Sequence, residues 1–300
     1  MISTAIITNG LIQQARAWQL HSELTAWCPS LLRRHQRWFH ASAHNPLSAL
    51  ARLTNTPAAR LLMENNDEPG QWWVVSPWHG QTMRDRVRLL PAAMLPWQEQ
   101  DGRWLQEQLH PLLDPLAMEL KVLPGGSMVM HCRTPLDVAP APFPQLEQDG
   151  LSNRHPEGSD GGALMRLLAE IEMLLHQNPA PHRKDVPEIH GIWLWGQWLS
   201  IANDPISPLH LSAMIGGNVG PQLLHDADNA RVFIGEVEEM GALLPRDGFV
   251  PKRVVAIGAD HAICFHGRGW RLGDRSLHAP TTMPTETELW RLIGDYQPQE

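Results

Sequence analysis

Thr4-Ala5-Ile6-Ile7 runs apolar and β-branched residues together, and the turn chemistry of Asn9-Gly10 stops them. A short buried strand is therefore predicted at the start of the fold. Between Leu11 and His40 the apolar positions recur at helical spacing. Leu20, Leu24 and Trp27 precede Pro29, and Leu31, Leu32, His35 and Trp38 follow it, which predicts two helices meeting at that proline. Pro46 to Leu53 and Pro57 to Met63 read as short helices begun by proline, and 65–70 as a surface loop. Trp72 to Ser76 and Val87 to Leu90 favour strands, because aromatic and β-branched side chains fit a pleated surface. Helical spacing returns from Trp97 to Leu113 through Trp104, Leu105, Leu109 and Leu112. Glu119 to Leu123 and Met128 to Cys132 then flank Pro124-Gly125-Gly126-Ser127 as a hairpin.

Pro135, Pro140, Pro142 and Pro144 follow, and each fixes its own φ and biases its predecessor toward extended backbone. The stretch is expected to be a stiff connector and is the best candidate for an internal boundary, between a helix-rich α/β part over 1–134 and a second α/β part over 145–300, the alternative being one continuous domain. Beyond it, Asp160 can cap a helix whose stripe is Leu164, Leu167, Leu168, Ile171, Leu174 and Leu175, ended by Pro179. Ile189 to Trp195, Leu209 to Ile215 and Val232 to Ile234 read as strands, and Val219 to His225 as a short helix. Arg253 to Ile257 and Ala262 to His266 form a second hairpin around 258–261, and Thr285 to Ile293 closes with a helix. Strand and helix alternate without an internal repeat. The fold class is α/β, a mixed sheet flanked by helices with short β-hairpins.

With 300 residues, 43% hydrophobic and 19% charged, the chain is an ordinary globular one able to bury a sizeable core. A net charge of −8 disfavours nucleic acid as a direct ligand. Cys28, Cys132 and Cys264 stand far apart with no metal-knuckle spacing, which fits a reduced compartment. No apolar run approaches the ~18 residues of a membrane span, and the first ten residues lack the basic and apolar regions of a signal peptide. A cytoplasmic protein is expected.

Common catalytic signatures are missing. Lys121, Lys184 and Lys252 are the only lysines and none follows a glycine, so there is no phosphate-cradling P-loop. Gly216 to Gly220 links a strand to a helix, but it has no Lys, Ser or Thr to grip an anion, and tight packing is the commoner use. His131 and Cys132 are neighbours on a strand and so point to opposite faces, which predicts a surface imidazole beside a half-buried thiol. Asp260-His261 pairs hard oxygen with imidazole nitrogen, as one half of a two-metal phosphatase site would, although a turn accounts for both residues as well. Glu172 and His176 lie four apart on one helix face, where they can share a proton or a cation. In Gly191 to Trp198, strand alternation places Trp193 and Trp195 on one face, and with 13 Trp in the chain such a face suits either a core or an interface.

Three stretches carry a resemblance: 155–160, then Arg166 to Pro179, then Ile192-Trp193-Leu194-Trp195-Gly196. Together they resemble the RpfE-type regulatory proteins of bacteria, a group often labelled phosphoglycerate-mutase-like. This chain carries Ala169, Glu172, Asn178 and Gln197-Trp198 where that pattern has other residues. The resemblance implies an α/β chain akin in label to metal-dependent phosphomutases, which use an Asp at the end of the first strand, a Ser or Thr nucleophile, and several Asp and His ligands. Here the first strand ends in neutral Asn9-Gly10, a poor cation ligand.

The expectation is accordingly a non-catalytic regulatory or adaptor protein without a cofactor. It would present Glu170, Glu172, His176, Asn178, Trp193 and Trp195 to a protein partner or small ligand, and self-association through its indoles is possible. The competing expectation is a phosphohydrolase or phosphomutase holding Mn or Zn through Asp260 and His261, with Glu172 and His176 as further donors.

Overall fold

In the computed structural model the described residues are 4–8, 10–14, 17–28, 31–40, 46–54, 57–63, 68–83, 87–90, 95–143, 145–146, 150–151, 155–200, 213–215, 232–236, 252–258, 261–267, 277, 280, 282–285, 288–289 and 292. The chain divides into two compact units. The first comprises Met1–Thr56, Pro208–Val219 and Leu223–Glu300, and the second comprises Pro57–Ser207 and Gly220–Gln222. The second is thus inserted into the first. The proline stretch 135–144 lies inside the second unit, so the boundary expected there is not where the chain parts. Its backbone is fastened within that unit, by a bridge between Ala139 and Glu157 and by the Trp193 Nε1–H, which donates to the Ala141 carbonyl at 2.8 Å.

The first unit opens with β1 (Thr4–Thr8), the hairpin β2 (Leu11–Gln14) and β3 (Ala17–Leu20), and helix α1 (Ser22–Trp27). After a 3-10 turn at Leu31–Arg33 come β4 (His35–His40) and α2 (Pro46–Thr54). The second unit begins with α3 (Ala58–Leu62), β5 (Gly70–Trp78), β6 (Gly80–Thr82), β7 (Val87–Leu89) and α4 (Glu99–Leu113). It continues with β8 (Met118–Val122), β9 (Met128–Cys132), α5 (Gly161–Gln177) and β10 (Gly191–Ser200). The chain then returns to the first unit with β11 (Ala213–Ile215), β12 (Val232–Glu236), β13 (Arg253–Ile257) and β14 (His261–His266).

Two expectations for the N-terminal stretch are corrected. Leu11 to Leu20 forms the β2–β3 hairpin, and His35 to His40 is a strand instead of a helix. Tertiary pairing overrides the local period: β4 lies antiparallel along β14, with Trp38 opposite Ile263 and Phe39 opposite Ala262. The interior that rewards this register joins Leu11, Trp18, Leu24, Leu31 and Trp38 to Val254, Ala256, Ile263 and Phe265. The Val219 to His225 helix and the Gly216 to Gly220 turn lie outside the described residues.

The second unit is built on an antiparallel sheet in the order β10-β5-β9-β8. Its apolar residues are buried from both faces, Trp72, Trp73, Val129 and Met130 fully, because α4 covers β8 while α3 and α5 pack on β10. The start of α4 is held by its own third residue. Asp101 Oδ2 accepts the Gln98 N–H at 2.7 Å, and the other carboxylate oxygen receives His182 Nε2 at 2.8 Å and Arg183 at 2.9 Å. Arg183 is buried and also donates to the carbonyls of Pro96 and Pro187, so one guanidinium ties the 179–190 segment to the helix start. Among the described residues no helix is long and apolar enough to cross a membrane.

Candidate functional site

The six-stranded sheet of the first unit runs β11-β12-β1-β13-β14-β4. β1 pairs in parallel with both β12 and β13, and β11 is parallel to β12. β14 is antiparallel to both β13 and β4, so β4 runs the same way as β13. The carboxyl ends Thr8, Ile215, Glu236, Ile257 and His40 therefore share one edge, and β14 starts at that edge with His261. The chain passes from β12 to β13 across β1, and the carboxyl ends of such parallel strands are where open α/β sheets place their ligands.

Two imidazoles stand at that end of the sheet, on its outermost strand pair, β14 and β4. His40 and His261 are directly opposed across the β4–β14 ladder, with ring centroids 5.3 Å apart and planes at 54°. Trp18 lies 4.6 Å from the His261 ring and Trp38 meets it edge-on at 6.4 Å, so His261 is walled by indole while His40 is exposed. The Gly258 N–H donates to the His261 carbonyl at 2.8 Å and closes the hairpin. A side chain at Gly258 would put its first carbon 2.6 Å from the Leu11 carbonyl oxygen, which is why glycine suits that close approach.

Two imidazoles sharing one tetrahedral ion at ~2.0–2.1 Å would have centroids about 5 Å apart, a spacing that directly opposed side chains on antiparallel strands also take without an ion. Asp260 adjoins His261 in sequence but lies outside the described residues. Imidazole nitrogen with carboxylate oxygen is a donor set for manganese or zinc. The cross-strand partnership of His40 was not singled out from the sequence. Alternation identifies a strand's faces, whereas register depends on the partner strand.

The residues expected to form a partner surface are only partly brought together. Glu170, Glu172 and His176 are exposed on α5, and Asn178 caps its end by donating both backbone and side-chain N–H to the Leu174 carbonyl. Partial desolvation pushes the Glu172 carboxyl up from its ordinary value. Trp193 and Trp195, however, are 3% and 4% exposed and use their indole N–H groups internally, on Ala141 and Ser76. Helices cover both faces of this sheet, so they contribute to the core and present nothing to a partner. His131 is likewise buried, not at the surface, because β9 lies inside the sheet. The Cys132 thiol is pushed up to about 12 by burial and is no nucleophile at neutral pH.

The α5 imidazole joins a different group. His79 and His190 have ring centroids 4.2 Å apart, and His190 Nδ1 accepts the Gly80 N–H at 3.1 Å. Burial foremost, then the neighbouring His79, hold the His190 pKa below its ordinary value, with Glu188 opposing and His176 adding a smaller repulsion. A depressed histidine pKa means the unfolded chain takes up the proton first, so stability is lost as pH falls from about 6.5. His266 in the first unit has the same sign, through burial and then His35, Arg253 and Arg37. Thermal melts are expected to fall between neutral pH and pH 5 in the native chain, and less steeply in His190→Gln. An equal slope in the two proteins would contradict this.

No family model and no curated protein matches the chain. Among solved structures, the cofactor-independent phosphoglycerate mutase from Thermoplasma acidophilum DSM 1728 is similar over 98% of this chain and 100% of that chain, with 13% identity and a TM-score of 0.34. The RpfE-type resemblance finds no counterpart among the family models. The expectation of a non-catalytic adaptor is corrected. The indole face on which the adaptor depended is interior, with Trp193 and Trp195 both buried.

Proposed function

We propose that the chain is a divalent-metal-dependent enzyme acting on phosphoryl groups, as a phosphohydrolase or phosphomutase, with its site at the carboxyl edge of the first unit's sheet. The observation that carries this reading is the His40–His261 pair on the outer β14–β4 strands, at the end of the sheet where its parallel strands finish and open α/β sheets take their ligands. The motif resemblance over 155–196 supports phosphoryl chemistry as the reaction class. Mn²⁺ or Zn²⁺ held by His40 and His261, with Asp260 as the adjoining carboxylate, would act as a Lewis acid on a phosphoryl oxygen. The walls of Trp18 and Trp38 exclude water from one side of His261 and fix its ring, so that the donor nitrogen needs little reorganisation on binding.

The test is hydrolysis of an aryl phosphate by the full chain, stripped with chelator and then supplied with Mn²⁺ or Zn²⁺. Hydrolysis is expected only with metal, and transfer between phosphoglycerate isomers in the same preparation would specify the mutase form. Absence of both activities with either ion would overturn the proposal.

A further inference from the structure

The second unit gathers a separate set of donors. In the strand register Trp72, His131 and Glu119 lie side by side across β5, β9 and β8, with Lys121 two residues beyond Glu119. Glu68 approaches from the segment before β5, and ligand atoms of Glu68, Glu119 and His131 all lie within 4.8 Å of one another. His131 is 1% exposed and stacks on Trp72, with centroids 4.2 Å apart and planes at 17°. Gly70 makes room for it. At φ +143°, a side chain there would start 2.3 Å from His131 Nε2.

The hydrogen-bond accounting at His131 does not close. Nε2 lies 3.1 Å from the Pro69 carbonyl, which only accepts, so Nε2 is assigned the proton. In neutral imidazole Nδ1 then carries a lone pair. Nδ1 is buried without a hydrogen-bond partner and lies 3.2 Å from Glu68 Oε1, a second acceptor. Two acceptors facing each other need a positive charge between them, which is either a second ring proton or a cation.

Among the described residues, Lys121 stands between the two carboxylates. Lys121 Nζ is 2.6 Å from Glu68 Oε2 but 3.6 Å from Glu119 Oε2, so one ammonium serves two carboxylates. Arg133 adds only a weaker field at Glu68. The Lys121 hydrogen bond, opposed by burial, holds the Glu68 carboxyl below its ordinary range, so the carboxylate is ionised at neutral pH. Lys121 also lies over the Trp72 ring at 4.9 Å, where its charge keeps a partner if it leaves Glu68. The side chains of Glu68 and Glu119 are 39% and 45% exposed, which gives ions access from solvent.

We infer that Glu68, Glu119 and His131 Nδ1 form a divalent-cation site of the zinc type, in which the ion replaces the Lys121 ammonium between the two carboxylates. One imidazole and two carboxylates are a zinc donor set, and water would supply the fourth position. The site is in the other unit from His40 and His261 and does not depend on the reading given to that pair.

The experiment is calorimetric titration of zinc chloride into the full chain carrying His40→Ala and His261→Ala, which isolates the second unit. One equivalent is expected to bind. Removing the competing ammonium with Lys121→Met should tighten binding about ten-fold or more, and Glu119→Gln should weaken it by about ten-fold or more. If the double-alanine background does not fold, the same two single variants in the native chain report the site by the gain in affinity and by loss of one equivalent. No zinc bound even with Lys121→Met, or an affinity indifferent to Glu119→Gln, would overturn the inference and leave His131 as an imidazolium paired with Glu68.

Discussion

Replacing Asp101 by alanine is expected to destabilise the second unit by about 3–5 kcal/mol, measured by equilibrium chemical denaturation. The magnitude follows from what the carboxylate leaves behind. Arg183 and Asp101 have side chains only 3% and 5% exposed, and Arg183 at 2.9 Å is Asp101's charged partner, with His182 Nε2 at 2.8 Å beside it. Deleting the acid strands a buried guanidinium whose remaining acceptors are neutral carbonyls of Pro96 and Pro187. It also removes the acceptor for the Gln98 N–H at the start of α4. Asp101→Asn should recover part of the loss, because an amide oxygen still accepts but does not neutralise. A change below about 1 kcal/mol for Asp101→Ala would show that the 179–190 segment is held by other contacts.

That pair also shows where sequence reasoning stops. The stripe of α5 and the β8–β9 and β13–β14 hairpins were legible, because their period and turn residues lie within a dozen positions of each other. His35 to His40 was not, since a strand of 6 residues containing adjacent Trp38 and Phe39 imitates a helical face until its partner β14 is known. The insertion was invisible for a related reason. Prolines between 135 and 144 look like a linker locally, yet the chain leaves the first unit after Thr56 and returns at Pro208, so that β1 finds its partner β13 on the far side of the insertion in sequence. At the candidate sites the residue types were legible and the groupings were not. His261 was singled out beside Asp260, but His40 reached it only through strand register. Glu68, Glu119 and His131 are separated by up to 63 positions and meet only because β8, β9 and β5 are neighbours.

His261→Ala is expected to lower the proposed metal-dependent phosphoryl activity by about 100-fold or more, with His40→Ala close behind, since each would remove a proposed metal ligand where even a supporting partner is worth about 10–100-fold. Stability should respond differently in the two cases. His40 is exposed, so its loss should leave the thermal midpoint almost unchanged, whereas His261 packs on Trp18 at 4.6 Å and its loss opens a gap beside an indole. His261→Gln keeps much of that volume and separates packing from ligation. Activity should stay low in this variant while the midpoint returns toward the native value.

The most direct measurement is the metal content at the sheet edge. The native chain and His40→Ala/His261→Ala, both equilibrated with Mn²⁺ and freed of loosely held ions, are compared by elemental analysis. The account predicts that the double variant, still folded, holds one manganese fewer per chain than the native protein. Equal metal content in the two proteins, or none in either, would contradict it.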